Sequence, residues 1–303
     1  MTRQEMIEMA KETRRQVMNA EVSEELLRSL PAEIREISVP TPVGETKIFD
    51  VLPEGGQKND RLVINLHGGG FIRTRTKNDE VFCRAMAGRL KSRFLDVDYR
   101  IAPDDPFPAA LEESYGVLQW AFARAHDLGI SPQKIVLTGF SAGGNLAAGM
   151  TLLSVRRHTS LPSLLILGYP PMDLWTDPGD KKTMGKGIPA ERARLYNLYY
   201  CDREMQKDPL ASPVYTEPGE LINFPPALIM TAGHDDLCNE AEEFALKLAR
   251  AGVETTLRRF TESGHGFIIY RKEQYREAWD MISEFIVSHV SAVPAKDGPA
   301  AAV

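Results

Sequence analysis

Along the chain, short apolar runs alternate with longer stretches whose apolar residues recur at helical spacing. The runs at 61–66 (RLVINL), 93–99, 134–138 (KIVLT), 163–167, 227–231 (ALIMT) and 254–260 read as strands, most of them apolar enough to be buried. Between and after them, 78–91, 108–128, 142–157, 239–251 and 274–289 read as helices. Upstream, residues 3–30 have the apolar spacing and charge density of surface helices. Two shorter β-like runs follow, at 36–40 and 45–52, around a turn at Pro42-Val43-Gly44. Strands alternating with amphipathic helices predict an α/β fold with a mostly parallel central sheet, helices on both faces and right-handed crossovers. In such a sheet, ligands bind at the carboxyl ends of the strands.

One stretch breaks this rhythm. Residues 172–208 are first Pro/Gly-rich and then aromatic (YNLYY, Tyr196 to Tyr200), and are too long for a simple connection. They read as an insertion lying over the carboxyl edge of the sheet together with the N-terminal helices. The expected division is an N-terminal cap segment 1–38, a first core part 39–171, the cap insertion 172–208, a second core part 209–293 and a disordered tail 294–303.

The 303 residues are enough for one large α/β domain, and 43% are hydrophobic, as in a globular chain. The net charge of -6 and the lack of any Lys/Arg-rich run give no reason to expect nucleic-acid binding. The three scattered cysteines, Cys83, Cys201 and Cys238, form no C-x-x-C pair and point to reduced thiols. No stretch is long and apolar enough to span a bilayer, and the first residues have no signal-peptide core, so the expected location is cytoplasmic. No cluster has metal-ligand spacing and no dinucleotide or P-loop fingerprint occurs, so neither metal nor cofactor is expected.

Gly139-Phe140-Ser141-Ala142-Gly143 matches G-x-S-x-G, and its setting gives the match weight: it follows the strand KIVLT and opens a helix. A sharp strand-to-helix turn lifts such a serine hydroxyl into a cleft, above a helix N-terminus with free N–H groups. His67-Gly68-Gly69-Gly70 ends the strand RLVINL, where glycines let bare N–H groups approach a developing oxyanion. A serine needs a base, and there are six histidines. His126, His158 and His289 fall on helices or helix ends and read as surface residues, and His67 is committed to the glycine loop. His265, in the loop Ser263 to Phe267 after the run 254–260, lies on the same sheet edge as Ser141 and is preferred to His234. The acid that orients it belongs between serine and histidine in chain order, after ALIMT. Asp235 and Asp236 both qualify, and adjacent carboxylates cannot both be buried cheaply.

Together these residues resemble the hormone-sensitive-lipase family of bacterial esterases, which have the α/β-hydrolase fold. The resemblance rests on HGGGF (His67 to Phe71), DYRIAPDDPFPAALEE (Asp98 to Glu113), GFSAGGNLAA (Gly139 to Ala148) and the later DDLCNE and GHGF segments. It implies a carboxylesterase with Ser141, His265 and an aspartate as triad. Laid on this chain, the family's D-P-L-x-D-E pattern puts the catalytic aspartate at Asp235, although Asp236 stands where the family often has Pro. The family's oxyanion donors fall on Gly69, Gly70 and Ala142. A cap of an N-terminal segment plus an insertion, a preference for short acyl chains, and a homodimer are further family traits. The expected partner is a small-molecule ester. GFSAGG also occurs in carbohydrate deacetylases, and a non-catalytic receptor on the same fold is a third alternative.

Aromatic residues crowd the expected cleft. Phe71, Phe140 and Phe267 adjoin the glycine loop, the nucleophile and the base, and the insertion adds Trp175, Tyr196, Tyr199 and Tyr200. They predict a short, narrow, apolar acyl pocket, unless the insertion's rings are only its packing face.

Overall fold

A computed structural model describes residues 2–16, 22–185 and 187–290. The expected tail 294–303 lies outside the described residues. The chain opens with helices α1 (Arg3–Gln16) and α2 (Glu24–Ser29), the latter capped by the Ser23 hydroxyl. An antiparallel pair follows, β1 (Ala32–Thr41) and β2 (Gly44–Pro53), in register from Ala32↔Pro53 to Thr41↔Gly44. The pair is longer than its sequence suggests. Much of β1 faces solvent, and its first half offers only Ala32 and Ile34 as apolar positions among Glu33, Arg35 and Glu36. Residues 32–38, expected within the N-terminal cap segment, therefore hydrogen-bond into the sheet.

From there strand and helix alternate. The order is β3 (Leu62–Leu66), α3 (Lys77–Leu90), β4 (Arg93–Val97), α4 (Ala109–Ala123), β5 (Ile135–Phe140), α5 (Ala142–Arg156) and β6 (Leu164–Gly168). Then come α6 (Ala190–Tyr200), the one-turn α7 (Pro218–Leu221), β7 (Ala227–Ala232), α8 (Cys238–Arg250), β8 (Thr255–Phe260), the one-turn α9 (Phe267–Tyr270) and α10 (Tyr275–Val290). The strands form one eight-stranded sheet in the order β1-β2-β4-β3-β5-β6-β7-β8, and every pair from β4 to β8 is parallel.

The period of two along each strand sorts the core into two layers. Leu62, Ile64, Leu66 and Leu137 pack with Leu111, Leu118, Leu146, Phe244 and Leu248 of α4, α5 and α8. Val63, Val136, Leu164 and Ile166 point the other way, onto Val81 and Phe82 of α3 and Ile282 and Ile286 of α10. All three cysteines are free and buried. Among the described residues no helix is long and apolar enough to cross a membrane.

The segment after β4 carries cis peptide bonds before Pro103 and Pro108. The buried Glu113 carboxylate holds this turn: it accepts the Arg100 N–H at 2.5 Å and the Thr46 hydroxyl at 2.9 Å, tying α4 to β2. Burial pushes this carboxyl up, and its hydrogen bonds pull it back. The Asp98-to-Glu113 string is thus an architectural element beside the site.

Candidate active site

Because β3 to β8 run parallel, the residues following each strand meet along one edge. Ser141 follows β5 with φ 52° and ψ -124°, an uncommon conformation for a residue with a side chain. Its N–H donates to Gly168 O at 2.8 Å, which ties the turn to the end of β6. The elbow also demands glycine on both sides. A Cβ at Gly139 would stand 2.1 Å from Gly143 O, and one at Gly143 would stand 2.1 Å from Leu66 O. No side chain fits where backbone meets backbone so closely, so the G-x-S-x-G spacing is here a packing requirement.

The loop after β8 brings His265 to this turn. Its Nε2 lies 2.9 Å from Ser141 Oγ, and its Nδ1 lies 2.7 Å from Asp235 Oδ2. Asp235 follows β7, is fully buried, and accepts the Leu237 N–H on its other oxygen. Asp236 turns away: its Oδ1 accepts the Met184 N–H at 2.6 Å and so holds the insertion. Tyr169, at the end of β6, sets its ring edge-on to His265, with centroids 4.9 Å apart. Among the described residues, the hydrogen bond that joins His234 to this loop is through its backbone, its N–H donating to Ser263 O.

On the opposite side, Gly69 and Gly70 adopt φ +130° and +61°, and their N–H groups have no intramolecular acceptor among the described residues. Ala142 is the first residue of α5, so its N–H is one of the free donors at that helix N-terminus. His67 is buried and stacked on Tyr99 with centroids 4.0 Å apart, while the Tyr99 hydroxyl donates to His67 O. It therefore anchors the strand end behind the glycines. A hydroxyl hydrogen-bonded to a carboxylate-oriented imidazole, beside free N–H groups, is an arrangement suited to acyl transfer.

These groups open into a cavity of about 170 Å³ that includes Ser141, His265, Gly68, Gly69 and Gly70. Of the seven aromatic residues expected in the pocket, Phe140 and Tyr196 line it. The other five do not, because each is spent on packing. Phe71 stacks on Tyr200 at 3.7 Å, Tyr199 is buried in the core, and Trp175 lies under the Arg203 guanidinium. Phe267 is buried between Phe260 and Tyr169. Sequence reasoning missed Arg73, Thr76, Asp79, Tyr169, Ile188, Arg192, Ile269 and Tyr270, which also line the cavity. Tyr169 could have been found from its place directly after an apolar strand, and Ile269 and Tyr270 from their closeness to His265. Arg192 carries no comparable signal.

The insertion is tied down by Glu240, the last residue of the DDLCNE segment. Its Oε1 accepts the N–H groups of Met172 and Asp173 at 2.8 and 3.1 Å, and Oε2 pairs with Lys181. Burial lifts this carboxyl to about 7, with Lys181 opposing the shift. At the other end of the site, α1 docks through Arg14, whose guanidinium donates to Ile72 O at 2.6 Å and Ala102 O at 2.8 Å.

Fold and site together define a protein with a strand-turn-helix serine on a parallel α/β sheet. Residues 63–269 match a family model described as alpha/beta hydrolase fold, and the chain belongs to this family, within its hormone-sensitive-lipase-like group. It is 32% identical over 245 residues to the carboxylic ester hydrolase LipN of Mycobacterium tuberculosis, covering 78% of this chain and 64% of that one. Over 118 residues it is 35% identical to the hormone-sensitive lipase of Bos taurus, covering 39% of this chain and 16% of that one. The chain thus spans less than two thirds of the length of either relative. Among solved structures, a hyperthermophilic esterase from Pyrobaculum calidifontis superposes with a TM-score of 0.79 at 28% identity, covering 95% of this chain and 94% of that one.

Proposed function

We propose that the protein is a carboxylesterase acting on small esters with short acyl chains, acetyl to butyryl. The observation that carries this reading is the hydrogen-bonded chain Ser141–His265–Asp235 at a cavity of only about 170 Å³. Pockets for drug-sized ligands run to roughly 300–1,000 Å³. The names of the relatives, a carboxylic ester hydrolase and an esterase, support the same reaction.

In this mechanism Ser141 Oγ attacks the ester carbonyl while His265 Nε2 takes its proton. Asp235 holds Nδ1–H and stabilises the imidazolium. The carbonyl oxygen becomes an oxyanion held by the N–H groups of Gly69, Gly70 and Ala142. Collapse expels the alcohol with the proton from His265 and leaves an acyl-serine. Water, deprotonated by His265, then releases the carboxylic acid. The N-terminal helices and residues 172–208 form the cap, a role supported by the Arg14 anchor and by Tyr196, whose ring lies against Gly70.

The test is a panel of p-nitrophenyl esters from acetyl to decanoyl together with acetylated sugars, run on the native protein and on Ser141→Ala. Native kcat/KM should peak between acetyl and butyryl, and Ser141→Ala should fall to background with an unchanged Tm. A Ser141→Ala protein that keeps more than a few per cent of turnover disproves the nucleophile. A folded native protein that hydrolyses no ester supports the receptor alternative instead.

A further inference from the structure

Besides Ser141 and His265, the described residues that line the cavity include three with charged side chains, Arg73, Arg192 and Asp79. Asp79 is occupied. It is buried at the start of α3, where its Oδ2 accepts the Thr76 N–H at 2.8 Å and the Thr76 hydroxyl at 2.7 Å. Burial, followed by the neighbouring Asp96, pushes its carboxyl up, toward the neutral form. Arg73 and Arg192 bring two guanidinium groups to the same wall.

Both line the cavity together with one ring, that of Tyr196. Tyr196 lies against Gly70, and Arg192 is one helical turn before it on the same face of α6. Arg73 comes from the glycine-loop side, its Cβ close to Gly69. Both cations act on the Tyr196 phenol: burial pushes it up, and Arg192 and then Arg73 pull it back down. Arg192 has neither a hydrogen bond nor an ion pair among the described residues, whereas its neighbour Arg194 is paired with Asp177. The first N–H groups of α6, which has no side-chain cap, add positive potential at the same end. Arg192 is an exposed residue that lines this cavity, and a guanidinium there without a carboxylate partner among the described residues favours a ligand that supplies one.

We propose that the preferred substrates are esters bearing a carboxylate remote from the scissile bond, bound by Arg192 and Arg73 beside Tyr196. This rests on the esterase reading above and specifies its substrate class. The carboxylate can belong to the acyl or to the alcohol part, and the test separates the two.

The experiment compares each anionic ester with its uncharged amide isostere. Monoethyl succinate, glutarate and adipate against their half-amides probe the acyl side, by ethanol release. 4-Acetoxybutanoate against 4-acetoxybutanamide probes the alcohol side, by acetate release. In at least one series, native kcat/KM should favour the anion by about tenfold or more at low ionic strength, falling as salt is added. The anion-to-amide ratio should fall several-fold in Arg192→Gln and in Arg73→Gln, and recover in part in Arg192→Lys. A ratio within one preparation cancels any loss of folded enzyme. Ratios near one or below in every series, with the amides and p-nitrophenyl acetate still hydrolysed, overturn this inference and leave the esterase reading standing. A native preference that both glutamine variants retain overturns the assignment to these arginines. Turnover of no ester at all removes both readings.

Discussion

Asp235 and Asp236 are neighbours in the chain and serve opposite sides of the site. Asp235 is buried behind His265 with Oδ2 2.7 Å from Nδ1, whereas Asp236 reaches outward to the Met184 N–H at 2.6 Å. One carboxylate orients the imidazole and the other holds the insertion.

The two carboxylates should therefore separate kinetically. Asp235→Asn should lower kcat by about 10⁴, because an asparagine favours the wrong imidazole tautomer. Asp236→Asn should change kcat less than tenfold and act mainly on Tm, through a weakened hold on the insertion. Steady-state kinetics with p-nitrophenyl acetate checks both, and equal mild losses would refute the division of roles.

Gly69→Ala should cost about 10- to 1000-fold in kcat with a small change in KM. A Cβ there would stand 2.9 Å from the Arg73 Cβ, and the φ of +130° disfavours any side chain. The loop must shift, carrying its N–H groups away from the oxyanion. A defect confined to KM would contradict this.

Tyr196→Ala should lengthen the acyl chain that the site accepts. The Tyr196 ring fills the space beside Gly70, so its removal opens the cavity on the side of α6. Each added methylene can then gain about 0.8 kcal/mol instead of overfilling the site. The optimum of kcat/KM across the p-nitrophenyl panel should move from acetyl–butyryl toward hexanoyl or octanoyl. An unmoved optimum would mean that another wall sets the cut-off.

Glu240 should make stability depend on pH. Its folded value is raised from 4.5 to about 7, so the folded state holds a proton that the unfolded chain releases. This contribution is fully present below about pH 4.5 and is lost as pH rises toward about 7. Denaturation midpoints of wild type and Glu240→Gln between pH 4.5 and 8 read it directly. Whatever their offset, the wild-type value should decline relative to the variant across this window and run parallel to it above. Parallel curves throughout would mean that Lys181 keeps the carboxylate ionised.

Much of this protein was legible in its sequence because the responsible interactions are local or depend on backbone alone. Buried parallel strands read as apolar runs, and the turn around Ser141 admits only glycine at 139 and 143, where a Cβ would meet backbone at 2.1 Å. Such constraints leave a motif at fixed spacing. His265 and His234 both follow parallel strands, and the preference for His265 rests on the loop of His234 having to supply the orienting acid. The choice of Asp235 over Asp236 comes from the family resemblance and not from the residues themselves, because two adjacent carboxylates present the same local pattern. Only the paths of the 180s segment and of the loop after β8 give each its partner, Met184 or His265. The pocket wall was likewise beyond the sequence. Trp175, Tyr199, Tyr200, Phe71 and Phe267 have the composition of a pocket, yet packing takes them, while Arg73, Arg192 and Asp79 reach the cavity unannounced. Which face of an irregular insertion meets the sheet depends on many weak contacts between distant segments, and no periodicity in the chain records that outcome.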